Sequence, residues 1–445
     1  MADDQGWGDV GYNGHPHLKT PHLDAMAQNG AVFSRFYSAG SVCSPTRASV
    51  MTGRHPARMV INSSNCGHLR DQEISLAEMV KEKGYRTGHF GKWHLGTLTR
   101  YILDANRGGK KENDLYYAPP WEHGFDVSFV TESKVPTWNP MITPSQSAED
   151  VRATLIEGEH FGTYYWTGPE KRVTENLEGD DSRIIMDRVI PFIEESVAQG
   201  QPFLSIIWFH APNLPVLTGK KYKSLYSQLS DDQQHYYGVI SALDEQVGRL
   251  RKKLRSLCVA DNTLVFYTSD NGPETSLEVR EKNISYGRAQ GFTNGLRGRK
   301  RSLHEGGIRV PGIIEWPAKI NSGTQVEVPC FTSDYFPTIA HILGIDINKY
   351  QRPYDGESLQ PYWSQQKQKR KQVLAFKFGN QLALIDNYFK LYSIYDEEYR
   401  LYDLQKDTAE ENDLSSLQPR RVEVLQSLYQ AWNLSVQNSN KGADY

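Results

Sequence analysis

The chain of 445 residues has four cysteines, no sustained apolar run and almost no charge imbalance. Four cysteines in this length do not make a disulfide framework. No stretch approaches the roughly 20 apolar residues needed to span a bilayer, so a membrane is not an expected partner. A formal net charge of −3 argues against a general polyanion binder such as a nucleic-acid protein. Basic clusters are local: Arg297, Arg299, Lys300 and Arg301; Lys220, Lys221 and Lys223; and Lys367, Lys369, Arg370 and Lys371. Internal repeats are absent. The sequons at Asn62, Asn283 and Asn433 are no more than chance predicts. What is present, 38% hydrophobic and 23% charged residues, suits a globular protein with ample chain for a large core.

Apolar runs alternate with helical patterns through most of the chain, which predicts an α/β sandwich around a largely parallel sheet. Ser75 and Glu78 form a capping-box pattern opening a short helix that closes at Gly84. Helices are expected over Arg183 to Val197, over Asp232 to Leu257 with a stripe of Val239, Ile240, Leu243, Val247, Leu250 and Leu254, and from Asp334 to Gly344. Residues 100 to 180 are rich in Gly, Pro, Tyr and Trp without periodicity and read as long loops around a pocket. A polar basic run from Ser364 to Gln372 separates a main domain, 1–365, from a C-terminal subdomain, 372–445. The latter reads as four short antiparallel strands and a helix over Val422 to Trp432.

Five blocks carry chemistry. Cys43 stands in Ser41-Val42-Cys43-Ser44-Pro45-Thr46-Arg47, followed by Met51-Thr52-Gly53-Arg54; taken alone, it reads equally as a small buried thiol. Gly84-Tyr85-Arg86-Thr87-Gly88-His89-Phe90-Gly91-Lys92-Trp93-His94 contains a Lys and a His that alternation would put on one side of an extended segment. Such a pair offers an anion a point charge and a titratable donor. Asp3 and Asp4 open the chain, and Asp270-Asn271-Gly272 follows the apolar run Leu264 to Thr268. Three carboxylates and an amide oxygen make a set suited to Ca²⁺ or Mg²⁺ and unsuited to zinc, although Asp-Gly and Asn-Gly are also ordinary turn signals. The strand Phe203 to Phe209 delivers His210 at its C-terminal end, where open α/β sheets place ligands. The fifth block runs from Gly298 through Lys300 and Glu305-Gly306-Gly307 to Arg309-Val310-Pro311.

In this order the blocks resemble the type I sulfatases of the alkaline phosphatase superfamily. The Cys-x-Pro-x-Arg string is similar to the family's first signature. The Gly84 block is similar to its second, with the final His one position early. The resemblance implies that Cys43 is oxidised to formylglycine by a formylglycine-generating enzyme, and that the aldehyde's hydrate attacks sulfur. It implies one Ca²⁺ held by Asp3, Asp4, Asp270, Asn271 and the modified Cys43. It gives Arg47, Lys92, His94, His210 and Lys300 catalytic roles, with Lys92, His210 and Lys300 also touching substrate. His210 or Lys300 would protonate the leaving alcohol, and His94 would accept the proton that releases sulfate. With Cys43 modified, Cys66, Cys258 and Cys330 form an odd set, so at least one stays unpaired.

Longer stretches, among them Lys19 to Asp24, Pro119 to Asp126, Thr131 to Trp138 and Glu175 to Arg183, resemble sulfatases acting on algal galactans such as carrageenan. Those relatives read His-Ala-Pro-His where this chain has His210-Ala211-Pro212-Asn213, which places Asn213 on the leaving-group side. Trp138, Tyr164, Tyr165 and Trp166 are the aromatic candidates for stacking on sugar, with Trp138 and Trp166 foremost. Phosphonate or phosphodiester hydrolysis on the same fold, with a metal such as Mn²⁺, is the alternative chemistry. A non-catalytic binder of sulfated glycan is a third reading. Family habit implies a periplasmic or extracellular location, with no signal peptide in this chain. Relatives carry an apolar strand before the paired aspartates; Met1-Ala2 stands directly before Asp3 here, which leads us to expect a looser metal site.

Overall fold

A computed structural model describes residues 1–148, 155–275 and 287–445. The sequon at Asn283 lies outside the described residues, as do 149–154 within the expected loop region.

The central layer consists of two sheets that approach each other at the N-terminus. In the first, the strand Arg86–Lys92 runs parallel to both neighbours, Val127–Thr131 and Phe203–Trp208. In the second, Ala31–Phe33 lies between Thr324–Val326, parallel, and Gly312–Glu315, antiparallel, with Val265–Thr268 at the far edge. The α/β sandwich is therefore as expected, with a mixed rather than uniformly parallel centre. Residues Met1 to Asp3 join the two sheets. Ala2 bridges Ser269 in parallel, and the Met1 ammonium donates to the Ile207 carbonyl at 2.7 Å. Phe209 and Asp3 complete the seam through Met1 and Ala211 carbonyls.

Helices cover both faces. Asp181–Ala198 and Asp231–Ser256 bury their stripes in one core, with Val239, Ile240, Leu243, Val247 and Leu254 inward as their spacing predicts. Cys43–Thr52, Leu76–Lys81 and Tyr335–Leu343 pack into the other. The Ser75 capping box forms, with Glu78 returning to the Ser75 N–H at 2.7 Å. No helix among the described residues is long and apolar enough to cross a membrane.

Strands Leu374–Phe378, Gln381–Asp386, Phe389–Ile394 and Glu398–Asp403 make the C-terminal antiparallel sheet. Its final helix, Pro419–Asn440, is longer than the expected span because the helical pattern continues past Trp432. One face of this sheet packs on Leu303 and Ile308 of the main body. A buried ion cluster fastens the junction: the Lys390 ammonium lies 3.0 Å from both Glu305 and Glu410, and all three side chains are fully buried. Glu410 also accepts from the Glu305 N–H and meets His304. This clasp anchors the segment that carries Lys300.

Removing one partner from such a cluster leaves uncompensated buried charge. Lys390→Ala should therefore cost about 3–5 kcal/mol in chemical denaturation. A loss under about 1 kcal/mol would show that the clasp is not a stabilising junction.

Candidate active site

The five sequence blocks converge at the C-terminal ends of the central strands. Each arrives by a simple local device. The Val265–Thr268 strand ends just before Asp270 and Asn271, and the Ala2–Ser269 bridge sets Asp3 and Asp4 beside them. Lys92 is the last residue of its strand. Cys43 and Arg47 occupy the first and fifth positions of a ten-residue buried helix, so one turn brings both to the same face. The helix N-terminus adds its partial positive charge beside Cys43. The loop before Glu305 brings in Lys300.

Each carboxylate of the site has a close cation. Lys92 Nζ lies 2.6 Å from Asp3, Lys300 Nζ 2.6 Å from Asp4, and Arg47 Nη2 2.7 Å from Asp270. Arg47 also donates to the Lys92 carbonyl at 2.9 Å and lies over the Trp208 ring. Asn213 Nδ2 reaches Asp3 at 3.0 Å, and Cys43 Sγ lies 3.4 Å from the same oxygen. Asn271 Nδ2 donates to Asp4 at 2.7 Å.

Burial sets the protonation of this cluster. It opposes ionisation of Asp3, but Lys92, Arg47 and Lys300 outweigh it and hold that carboxyl below the usual range. Burial and the Asp3 charge push Asp270 up to about 6, and burial also raises Asp4. The Cys43 thiol is pushed up by burial, Asp270 and Asp3, and is held neutral. An unmodified Cys43 is thus a poor nucleophile.

One carboxylate oxygen from each of Asp3, Asp4 and Asp270, together with Cys43 Sγ, lies within 4.8 Å of the others. Asn271 Oδ1 is buried and, among the described residues, has no hydrogen-bond partner. A lone acceptor beside three carboxylates fits an oxygen-preferring divalent cation.

The remaining predicted residues divide. His94 reaches the site, but not by alternation: the strand stops at Lys92, and His94 sits in the left-handed region at φ 59°. Its Nε2 meets Asn65 Oδ1 at 2.9 Å. His210 is fully buried, with Nδ1 2.8 Å from Asp181 and Nε2 2.7 Å from the Thr131 hydroxyl. Trp138 is half-buried and lies against Gly219, where an added methyl would meet the ring at 2.3 Å. Trp166 corrects the expectation of a sugar platform. It is fully buried in the core, paired through its strand with Val130, and presents no surface to a ligand; Tyr165 is fully buried as well.

Sequence reasoning missed Asp181, which accepts from Tyr165 and holds His210. It also missed Glu274, 3.3 Å from Lys300 and drawn down to about 2, against burial, by Lys300 and Arg301. The Asp180-Asp181 pair signals a helix start and nothing more, since Asp180 is the N-cap. Glu274 lies two residues beyond the Asp270-Asn271-Gly272 motif.

Residues 1–345 match the family described as Sulfatase. The chain belongs to the sulfatase family. Residues 298–436 match a second description, N-sulphoglucosamine sulphohydrolase, C-terminal. The chain is 31% identical over 377 residues to N-acetylgalactosamine-6-sulfatase of Canis lupus familiaris and of Homo sapiens, covering 81% of this chain and 64% of each. Arylsulfatase A of Bos taurus is also 31% identical, over 373 residues, covering 81% of this chain and 66% of that protein. This sulfatase therefore spans a little under two thirds of those relatives' length. Its fold is that of Ps i-CgsB, with a TM-score of 0.82 at 23% identity, covering 100% of this chain and 95% of that one. The same protein solved in complex with k-i-k-neocarrahexaose gives a TM-score of 0.81 at 24% identity and the same coverage. Phosphonate monoester hydrolase of Agrobacterium radiobacter shares the fold at a TM-score of 0.65 and 19% identity, covering 98% and 94%.

A cation must displace protons from Asp270 and Asp4, so its affinity should fall with pH. Calorimetric titration with calcium is expected to show the dissociation constant rising, below pH 6, by up to about tenfold per pH unit for each carboxylate that must lose a proton. An affinity unchanged between pH 5 and 7.5 would remove the carboxylates from the site.

Proposed function

We propose that this sulfatase is a calcium-dependent sulfuric ester hydrolase acting on a sulfated galactan, carrageenan being the substrate class favoured. The observation that carries this reading is the buried set of Asp3, Asp4, Asp270, Lys92, Lys300 and Arg47 around Cys43 at the first position of its helix. Asp3, Asp4, Asp270 and the free Asn271 oxygen would hold the cation, which supplies charge stabilisation for a sulfate oxygen. Oxidised to formylglycine, position 43 would supply a geminal diol, with one hydroxyl to attack sulfur and another whose proton is lost as sulfate leaves.

The side chains supply the rest. Lys92 and Lys300 are buried ammonium groups, each held charged by carboxylates against its burial. Once those carboxylates turn to a cation, both are free to bind an anion, and their fixed positions make them preorganised electrostatic partners. Arg47 is tied to Asp270, the Lys92 carbonyl and Trp208, so it orients its turn of helix beneath Cys43. Asp181 holds His210 from Nδ1, leaving Nε2, now on Thr131, as the edge that can serve the departing alcohol. Burial lowers His94 well below the ordinary imidazole range, with Lys92 and Arg47 adding to the effect, so it is neutral and able to accept a proton.

Support for the substrate class comes from two directions. The N-acetylgalactosamine-6-sulfatases and the neocarrahexaose complex both concern galactose-configured sugars. The sequence stretches around Trp138 and Asp181 resemble carrageenan sulfatases. A periplasmic or extracellular site of action is part of the same proposal, as is maturation by a formylglycine-generating enzyme.

Competing turnover tests the reaction class. With matured enzyme, a carrageenan oligosaccharide or an aryl sulfate should be hydrolysed at least about a hundredfold faster, by kcat/KM, than an aryl phosphonate, a gap of roughly 2.7 kcal/mol in transition-state binding. Faster phosphonate cleavage, with manganese preferred over calcium, would replace the proposal by the phosphonate hydrolase reading. Cys43→Ser should retain substrate binding but lose turnover by at least about a thousandfold. A variant turning over near the parental rate would refute the nucleophile.

A further inference from the structure

His94 is held by a chain of amides whose polarity is set elsewhere. Asn65 Oδ1 lies 2.9 Å from His94 Nε2 and receives Asn106 Nδ2, also at 2.9 Å. Asn106 Nδ2 donates in turn to Glu132 Oε1 at 2.9 Å. Glu132 is buried and surrounded by donors. Its Oε1 takes the N–H groups of Arg107 and Gly108 at 2.8 and 3.1 Å, and its Oε2 takes those of Gly108 and Leu98 at 3.0 and 3.4 Å. Burial and the nearby Asp104 push Glu132 up to about 7, but Oε1 already takes two backbone N–H groups, so a proton on this carboxyl sits on Oε2 and Oε1 has only lone pairs to offer Asn106. The NH₂ end of Asn106 must therefore face Glu132, and the same nitrogen faces Asn65. Asn65 must answer with its carbonyl oxygen. That oxygen is an acceptor, so the ring nitrogen opposite it has to be an N–H.

The loop carrying Asn65 is fixed independently of the histidine. Arg107 Nη1 donates to the carbonyls of Asn65 and Gly67, both at 3.1 Å, and its guanidinium lies over the Tyr116 ring. Asn65 is itself at φ 58°, a conformation that Asn tolerates better than most residues. His94 Nδ1 is buried and has no hydrogen-bond partner among the described residues.

We propose that Asn65 is a positioning residue: with polarity relayed from Glu132 through Asn106, it locks His94 in the Nε2–H tautomer and leaves Nδ1 as the ring's only proton acceptor. The role rests on the sulfatase reading, in which His94 receives a proton. The tautomer itself does not. In the step concerned, the Nδ1 lone pair takes a hydroxyl proton, the O–H electrons become the carbonyl π bond, and the bonding pair to the sulfate oxygen departs with sulfate. A ring carrying its proton on Nδ1 could not accept another at that atom.

Long-range proton–nitrogen correlation on the full chain, labelled with nitrogen-15 in histidine, reads the tautomer directly. The His94 signal is assigned by its loss in His94→Asn. The expected spectrum shows a protonated Nε2 and an unprotonated Nδ1. Asn65→Leu should give a mixture of tautomers, and Asn65→Asp should keep the proton on Nε2. In the matured enzyme Asn65→Leu should lower kcat about tenfold with KM within about twofold, and Asn65→Asp should restore much of the loss. A wild-type ring protonated at Nδ1, or an Asn65→Leu spectrum identical to the parent, overturns the proposal. The spectrum needs no turnover, so an inactive protein with the expected tautomer would fail the sulfatase reading and leave the lock intact. Asn65 is exposed, which keeps the substitution away from the core.

Discussion

Everything at this site depends on one balance: three buried carboxylates against three buried cations at the seam between two sheets. None of Asp3, Asp4, Asp270, Lys92, Lys300 and Arg47 retains more than slight contact with solvent. Any one of them alone would carry a desolvation cost of several kcal/mol. Paired, they tolerate burial, and a divalent cation entering among the carboxylates would leave a surplus of positive charge in a low-dielectric pocket. That surplus is what an ionised sulfate ester needs, since it repels most nucleophiles. The chain's overall charge of −3 contributes nothing to it. Of the three basic clusters in the sequence, only the one at Arg297 to Arg301 supplies a residue to this set, Lys300.

The fold exists, in functional terms, to hold that balance. The first sheet contributes Lys92 and His210, the second Asp270 and Asn271, and the Met1 to Asp3 segment ties the two through hydrogen bonds on both sides. Asp3 is fixed through its N–H to Ala211 and Asp4 through its N–H to Asp270 Oδ1 at 3.1 Å. The C-terminal subdomain acts at one remove. Its Lys390 secures Glu305, and so the loop from which Lys300 reaches Asp4.

Much of this was legible because the signals were local or chemical. The Ser75 and Glu78 box, the stripe from Val239 to Leu254 and the four C-terminal strands are patterns of capping and period, and they formed where the pattern lay. Cys43 and Arg47, four apart on a helix, were readable as a pair once the helix was known. His94 was placed near Lys92 for the wrong reason, because a positive-φ residue after the strand replaced alternation. Trp166 was misjudged, since composition marks an aromatic-rich loop but cannot say which rings turn inward. The partners Asp181, Glu274, Asn65 and Glu132 were illegible. Their roles arise from side-chain contacts across 16 to 42 positions in the chain, and no short-range pattern announces them.

The account's central claim is that this cluster becomes a sulfate-ester catalyst only through Cys43. The most direct measurement is sulfate released per protein molecule, plotted against the fraction of Cys43 that peptide mass spectrometry shows converted from thiol to aldehyde. The account predicts a straight line through the origin with carrageenan oligosaccharide and calcium present. Sulfate released at full rate by unconverted protein, or none released by fully converted protein, would contradict it.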